Sequence, residues 1–429
     1  MPTRPETAAP TETLIEVEEL EVHFRLQGSS LARLFGRDTG HVRAVDGVSL
    51  ELHQGEVVGL VGESGSGKTT LGRALLGLEQ PTGGRIRYGG KDITRLGERD
   101  LRSLRTELQM VFQDPNAALN PAMTIARQVG HPLRIHGLAK GRDDLRAKVS
   151  QSLERVGLAP VERFLDKYPS DLSGGQKQRA VIARAIITGP RLLVADEPIS
   201  MLDMSVRSKI LQLMLDLKND LGLTYVYITH DLASAKFFCD RVAIMYLGRI
   251  VEIGRTEEIF RDPKHPYTKA LLAAIPDPDP DRALPRDLPR GEIPDAADPP
   301  SGCAFHPRCP RAFEACGWEP RDLQTLLDSH WASVSVEDYE REREVVGDLS
   351  GLERARGRAV LRPGAGSTAA DVRALLDRLR AADPEEPFWR GVESVDVEGG
   401  DVIVTFAPAE DPVLRTVSAV RVACHLYEA

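Results

Sequence analysis

The chain has 429 residues, 41% apolar and 28% charged, so it is neither a disordered tail nor a fibrous repeat and has the length of two or three domains. Lys plus Arg number 55 against 64 Asp plus Glu, and the net −9 excludes a generally basic nucleic-acid binder. The charge is uneven: from Pro276 onward 18 Arg and no Lys face 30 acidic residues, a local −12 that leaves +3 for everything before it.

Residues 1–13 are rich in Pro, Thr and Glu and are expected to be disordered. They lack the charged and apolar regions of a signal peptide, and no run of about 18 apolar residues follows anywhere, so the chain is expected to be cytoplasmic. Strands are predicted over 14–26 and 42–61, separated by a Gly/Ser/Arg-rich loop, 27–41. From Gly62 to Ile275 short β-branched runs alternate with segments of helical period, the pattern of an α/β domain with a largely parallel sheet. Within it RLLVA (191–195) and LTYVYIT (223–229) read as buried strands, and 143–157 reads as a helix stopped by Gly157. Eight prolines between Pro276 and Pro300 predict a semi-rigid linker over 276–301. In the remainder, Thr368-x-x-Asp371 is a capping box ahead of Val372, Leu375, Leu376 and Leu379. Gly399-Gly400 lies between two alternating apolar runs and predicts a hairpin. No long-period repeat is present.

One motif carries obvious chemistry. Gly62-Glu63-Ser64-Gly65-Ser66-Gly67-Lys68-Thr69 fits GxxxxGK[ST] between the apolar run Glu56–Val61 and a helix-like segment. Its glycines let backbone N–H groups turn inward around phosphates, and the helix N-terminus adds positive potential. Lys68 is placed to reach the β- and γ-phosphates, Thr69 to ligate Mg²⁺, and Thr70 completes the candidate ATP-binding set. The acidic pair Asp196-Glu197 ends a predicted strand, where parallel sheets bind ligands. Asp196 is the candidate for Mg²⁺ through water and Glu197 for polarising the attacking water. A lone acidic pair of this kind is otherwise an ordinary solvated strand end.

Leu172-Ser173-Gly174-Gly175-Gln176 matches the signature of the ABC ATPases in full, and with it the chain resembles that family. Gln113 in VFQDP resembles the Q-loop glutamine and a further Mg²⁺ ligand, Ser200-Met-Leu-Asp203 the D-loop, and His230 in YITHD the switch histidine. Phe24 resembles the aromatic that stacks on adenine. The resemblance implies a P-loop cassette with a helical signature subdomain over about 101–185 within an ATPase domain 14–275. It also implies a head-to-tail pair of cassettes, each ATP lying between Lys68 of one and Ser173 and Gly175 of the other, with Glu197, His230 and Gln113 as the catalytic set. FQDPNAALNPAMTI, HPLRIHGL, HPYTKALL and PSGCAFHPRCP are similar to the ATP-binding subunits of oligopeptide/dipeptide importers. The resemblance implies two permease partners, an extracytoplasmic solute-binding protein reached indirectly, a location on the cytoplasmic face of the membrane, and peptides as cargo. Oligosaccharides and nickel are the alternatives. No extended coiled coil and no second cassette are present, which disfavours nucleic-acid-directed or translation-factor relatives.

Cys303, Cys309 and Cys316 fall within fourteen residues, and Cys424 lies near the C-terminus. Three clustered cysteines in a reducing compartment point to metal rather than disulfide, and four thiolates suit a [4Fe–4S] cluster or Zn²⁺. The absence of a CxxC pair disfavours a zinc ribbon, and the resemblance favours the iron–sulfur cluster. His306 and His425 are alternative ligands, and Cys239 is expected in the core. The relatives place their last Cys-His soon after the third cysteine, so 302–429 is read as a C-terminal extension with a small α+β insertion over about 323–415.

Overall fold

The structure is a computed structural model that describes residues 12–26, 40–275, 289–352 and 355–428. Residues 1–11 of the stretch expected to be disordered, most of the loop 27–41 and the first half of the proline-rich linker therefore lie outside the described residues, while Thr13, expected in that stretch, begins a strand. The chain divides into two compact units, Met1–Asp262 and Pro263–Ala429.

In the first unit β1 (Thr13–Arg25) pairs antiparallel with β2 (His41–His53). The single strand expected over 42–61 is two strands, because the chain turns at Gly55 (φ 76°) before β3 (Val57–Val61). A positive φ at that point favours glycine, and the apolar run Glu56–Val61 ahead of the phosphate loop forms the strand on its own. β4 (Gly83–Tyr88) returns to β1 and carries the short β5 (Lys91–Asp92), giving a small antiparallel sheet.

The second sheet of this unit holds β3 with β6 (Leu108–Val111), β7 (Leu192–Asp196), β8 (Thr224–Thr229), β9 (Arg241–Tyr246) and β10 (Arg249–Arg255). Their spatial order is β10-β9-β3-β8-β7-β6, parallel throughout except for the antiparallel β9–β10 pair. β3, β7 and β8 are buried at every position, as strands covered on both faces must be, which is why they read as unbroken apolar runs. Between β6 and β7 the chain is helical, including Arg142–Arg155 and Gly174–Ile186. β6 itself falls inside the 101–185 span expected to be helical; its four residues are too few to show a period. Gly157 ends the first of these helices at φ 73°, with Gly157 N–H donating to Glu154 O and Leu158 N–H to Leu153 O.

The second unit begins before the linker, at Pro263 rather than after Ile275. The reason is local packing. The helix Pro266–Ala273 buries Tyr267 against Phe305, ring centroids 5.3 Å apart, while Tyr427 OH donates to Lys264 O. Further on, the helices Pro320–Trp331, Val336–Val346 and Ala369–Ala382 accompany the antiparallel sheet β11 (Arg358–Leu361), β12 (Val392–Glu398) and β13 (Asp401–Phe406), in the order β11-β13-β12. Thr368 and Asp371 form the expected capping box, and Val372, Leu375 and Leu376 are buried beneath it. Gly399 and Gly400 (φ 58° and 94°) make the hairpin turn between β12 and β13. A last hairpin, β14 (Arg415–Val417) and β15 (Val420–Val422), leads into Cys424.

Candidate functional site

The order β3-β8-β7-β6 sets four loops side by side at the C-terminal edge of the sheet. β3 delivers the phosphate loop, β8 delivers His230, β7 delivers Asp196 and Glu197, and β6 delivers Gln113. A parallel sheet binds its ligands at this edge.

The phosphate loop is held by backbone closeness that only glycine permits. A Cβ on Gly62 would lie 2.2 Å from Met245 O, and one on Gly67, itself at φ 95°, 1.9 Å from Ala44 O. Lys68 Nζ donates to Gly62 O (2.8 Å), Glu63 O (2.7 Å) and Ser66 Oγ (3.2 Å), so its ammonium lies within the curl of the loop. Burial lowers the Lys68 pKa, opposed by the carboxylates of Glu197, Asp196 and Glu63. Thr69 Oγ1 donates to Asp196 Oδ1 over 3.0 Å. Burial raises the Asp196 pKa, with the Thr69 hydrogen bond opposing it and Glu197 adding to it. Hydroxyl and carboxylate together fit Mg²⁺, which takes one or two protein ligands and fills the rest of its shell with water and phosphate oxygens.

Glu197 is engaged on both oxygens. Gln113 Nε2 donates to Oε2 (3.1 Å), and His230 Nδ1 lies 3.0 Å from Oε1. Because a carboxylate only accepts, His230 carries its proton on Nδ1 in this pairing. Glu197 sits at φ 43°, a conformation uncommon for a residue with a side chain. The backbone flanking His230 rests on buried hydroxyls that sequence reading missed. Thr229 Oγ1 accepts from Asp231 N–H (3.0 Å), Ser234 Oγ donates to Asp231 O (2.8 Å), and Tyr227 OH donates to Ser234 Oγ (3.1 Å). Hydroxyls alternating with apolar residues in β8 were the available sign.

Leu172 is buried, and Ser173 caps the signature helix. Ser173 and Gln176 satisfy each other: Ser173 N–H donates to Gln176 Oε1 (3.1 Å) and Gln176 N–H to Ser173 Oγ (3.4 Å). Cβ atoms on Gly174 and Gly175 would touch Leu202 and Val206, so the signature packs beside the loop carrying Asp203. Phe24 lies on β1 and is 41% exposed. Cys239 is in the core, as expected.

All five cysteines are buried thiols without disulfides. Burial pushes Cys303 well above the usual thiol range, Cys309 up to about 12, and Cys316 upward. Cys316, Cys424 and Cys309 add to the effect at Cys303, so the four share one neighbourhood. Among the described residues, however, no three His, Cys, Asp or Glu are arranged to hold a metal ion. A zinc ion would draw four such ligands to about 2.0–2.3 Å of one point. The two alternative ligands are also committed elsewhere. His306 places its nitrogens on Cys303 O (2.9 Å) and Asp322 Oδ2 (3.2 Å), and His425 on Glu428 Oε2 (2.6 Å) and Glu410 O (2.9 Å).

A phosphate loop, an acidic strand end and a serine-capped signature helix beside this sheet define an ABC-type ATPase. The ABC transporter family model matches residues 45–200, and that of the oligopeptide/dipeptide transporter C-terminal region matches 251–316. The oligopeptide transport ATP-binding protein OppF of Salmonella typhimurium is 44% identical over 305 residues, 71% of this chain and 90% of that protein. AppF of Bacillus subtilis, another oligopeptide transport ATP-binding protein, is 42% identical over 333 residues, 77% of this chain and 99% of that one. Among solved structures, cbiO1 from Clostridium perfringens, part of the ABC transporter complex cbiONQ, superposes with a TM-score of 0.50 at 30% identity, over 59% of this chain and 92% of that one. The chain belongs to the oligopeptide/dipeptide-type family of ABC transporter ATP-binding proteins, and it is an ATPase.

Proposed function

We propose that this chain is the membrane-peripheral subunit that powers import of small peptides, paired head to tail with a second cassette and docked on two permease subunits that take peptide from an extracytoplasmic binding protein. The observation that carries the reading is the union of a complete nucleotide edge, Lys68, Glu197, Gln113 and His230, with the peptide-transporter C-terminal region. No helix of the described residues is long and apolar enough to cross a membrane, so contact with the bilayer would come through partners. Deleting the gene should abolish uptake of labelled di- to pentapeptides. Retained peptide uptake with lost nickel or oligosaccharide uptake would overturn the cargo.

In the proposed site Gly62, Glu63, Ser64, Gly65, Ser66, Gly67, Lys68, Thr69 and Thr70 cradle the phosphates, and Phe24 stacks on adenine. Mg²⁺, held by Thr69, Asp196 and Gln113, would supply neutralisation of phosphate charge. Glu197 orients and polarises the attacking water, and His230 reads the γ-phosphate. Leu172, Ser173, Gly174, Gly175 and Gln176 present N–H groups to the partner's ATP, and Asp203 lies at the seam. Replacing Glu197 by Gln should lower kcat by about 10²–10⁴-fold with ATP still bound. Normal phosphate release would sink the assignment.

The four thiols support a narrower proposal, a structural [4Fe–4S] cluster on Cys303, Cys309, Cys316 and Cys424. A cluster spreads its thiolates over four irons, so it does not need the single focus a zinc ion requires. The shared burial of Cys424 with the other three also supports reading 323–415 as an insertion. Anaerobically purified protein should carry iron and acid-labile sulfide that Cys424→Ser removes. Neither being present would refute it.

A further inference from the structure

The loop 197–203 joins β7 to the helix Met204–Leu221 and carries both Glu197 and Asp203. One side chain ties it down. Arg207 Nε donates to Leu202 O (2.8 Å) and its Nη2 to Ser200 O (3.3 Å), while Arg207 N–H donates to Asp203 O (3.0 Å). Ser200 then passes the constraint on. Its N–H (3.2 Å) and its hydroxyl (3.0 Å) both donate to Glu197 O. On the other side Glu197 N–H donates to Ile228 O (2.9 Å).

Glu197 holds φ 43°, and a residue in so sparsely populated a conformation keeps it only when its surroundings over-determine it. The bonds on its own N–H and carbonyl are that determination, and two of the three come from Ser200. Arg207 fixes Ser200 in turn. A guanidinium suits the task because its planar fork offers several donors in fixed geometry, where an ammonium offers a mobile point charge. Val206, next to Arg207, meets the Cβ position of Gly175 at 2.8 Å, so the brace also adjoins the signature.

We infer that Arg207 is a positioning residue for hydrolysis: its guanidinium clasps the carbonyls of Ser200 and Leu202, and through Ser200 it holds the Glu197 backbone in the conformation that aims the carboxylate. The inference rests on the proposed role of Glu197. It makes the Asp203 loop and the carboxylate one mechanical unit, so a displacement of Asp203 reaches Glu197 through two hydrogen-bonded carbonyls.

The test uses the full-length chain assembled with its partner cassette and permease subunits, and the variants Arg207→Ala, Arg207→Lys, Ser200→Ala and Glu197→Gln in the same assembly, with phosphate release followed over a range of ATP concentration. Binding of a fluorescent ATP analogue counts the folded, competent fraction. Arg207→Ala should lower kcat roughly tenfold, the scale of a modest misplacement of a reacting group, with KM within about twofold of wild type. Arg207→Lys should fall between the two. Adding Ser200→Ala to Arg207→Ala should cost less than the sum of the single effects, because both act on one carbonyl chain. An unchanged kcat in Arg207→Ala, a change confined to KM, or a loss matched by lost analogue binding overturns the inference. If Arg207→Ala does not fold, Arg207→Lys decides: wild-type kcat refutes, lowered kcat at constant KM supports. The Glu197→Gln control separates the two readings. Turnover by that variant removes the site assignment itself, whereas its failure beside a normal Arg207→Ala removes only the brace.

Discussion

His265 makes the second unit's stability depend on pH with a definite sign. Its imidazole is fully buried and caps the helix Pro266–Ala273, with Nδ1 accepting the Tyr267 N–H at 3.1 Å. Protonation would turn that acceptor into a donor facing a donor. Burial, with Lys269 adding to it, lowers the pKa from 6.5 to about 3. In the unfolded chain the same group titrates near its ordinary value. Below about pH 6.5 the unfolded state therefore binds a proton that the folded state refuses, and stability falls as pH falls. The contribution is whole above pH 6.5 and drains away toward the folded value. At pH 5 the deficit is about 1.5 pH units, or ~2 kcal/mol, a large share of the ~5–15 kcal/mol that holds a domain together. The chain has 3 tryptophans, Trp318, Trp331 and Trp389, all in this unit, so their fluorescence isolates its unfolding within the intact protein. Asparagine at position 265 keeps a capping oxygen and does not titrate. The stability difference between wild type and His265→Asn, followed by urea unfolding, should shrink by ~2 kcal/mol between pH 7.5 and 5. A difference that stays constant over that range refutes the neutral cap.

The remaining predictions concern the phosphate loop and the second core. Gly67→Ala should abolish ATP binding in an otherwise folded chain, since its Cβ would lie 1.9 Å from Ala44 O; equilibrium binding with circular dichroism checks this, and near-normal affinity contradicts it. Lys68→Ala should weaken ATP binding at least about tenfold, because a buried ammonium is lost from the phosphate cradle; calorimetric titration reads it directly. Leu376→Ala, at a position 1% exposed, should cost the second unit about 2–5 kcal/mol while leaving ATP binding by the first unchanged.

What could be read from the sequence was what is local. The phosphate loop, the Thr368–Asp371 cap and the Gly399–Gly400 turn each declare themselves within a few residues. Gln113 and His230 are 117 positions apart in the numbering and meet only because β6, β7 and β8 lie side by side, a pairing no local pattern encodes. They were found through a family resemblance rather than through their own surroundings. The strand β6 was missed for the same reason: a four-residue apolar run looks like any other until its backbone partners are known. The boundary expected after Ile275 follows the prolines, a strong local signal, whereas the compact unit starting at Pro263 reflects the packing of Tyr267 on Phe305, which joins residues far apart. For His306 and His425 residue type suggested metal, but their neighbours Asp322, Glu410 and Glu428 took the ring nitrogens first.

The arrangement around Glu197 limits how such a site can be switched. A carboxylate that is to polarise water must aim a lone pair at it, and here Gln113 fixes the direction of one oxygen and His230 that of the other. The peptide groups beside His230 are pinned by Thr229 and Ser234 hydroxyls, so the backbone there is poorly placed to move. Rotation of the 59% exposed His230 side chain is the freedom that remains on that side. Gln113 is different. It stands at the end of β6, immediately before Asp114, which caps the short helix Pro115–Ala118 at the start of the helical region. A shift of that region would carry the Gln113 amide with it and leave the strand pairing of β6 with β7 intact. On the proposed roles, release of Glu197 is thus divided between a side-chain rotation at His230, which a γ-phosphate would attract, and a segmental movement at Gln113, which a bound partner would drive. Hydrolysis that needs both is hydrolysis that needs nucleotide and partner together, which is the requirement for coupling ATP use to transport.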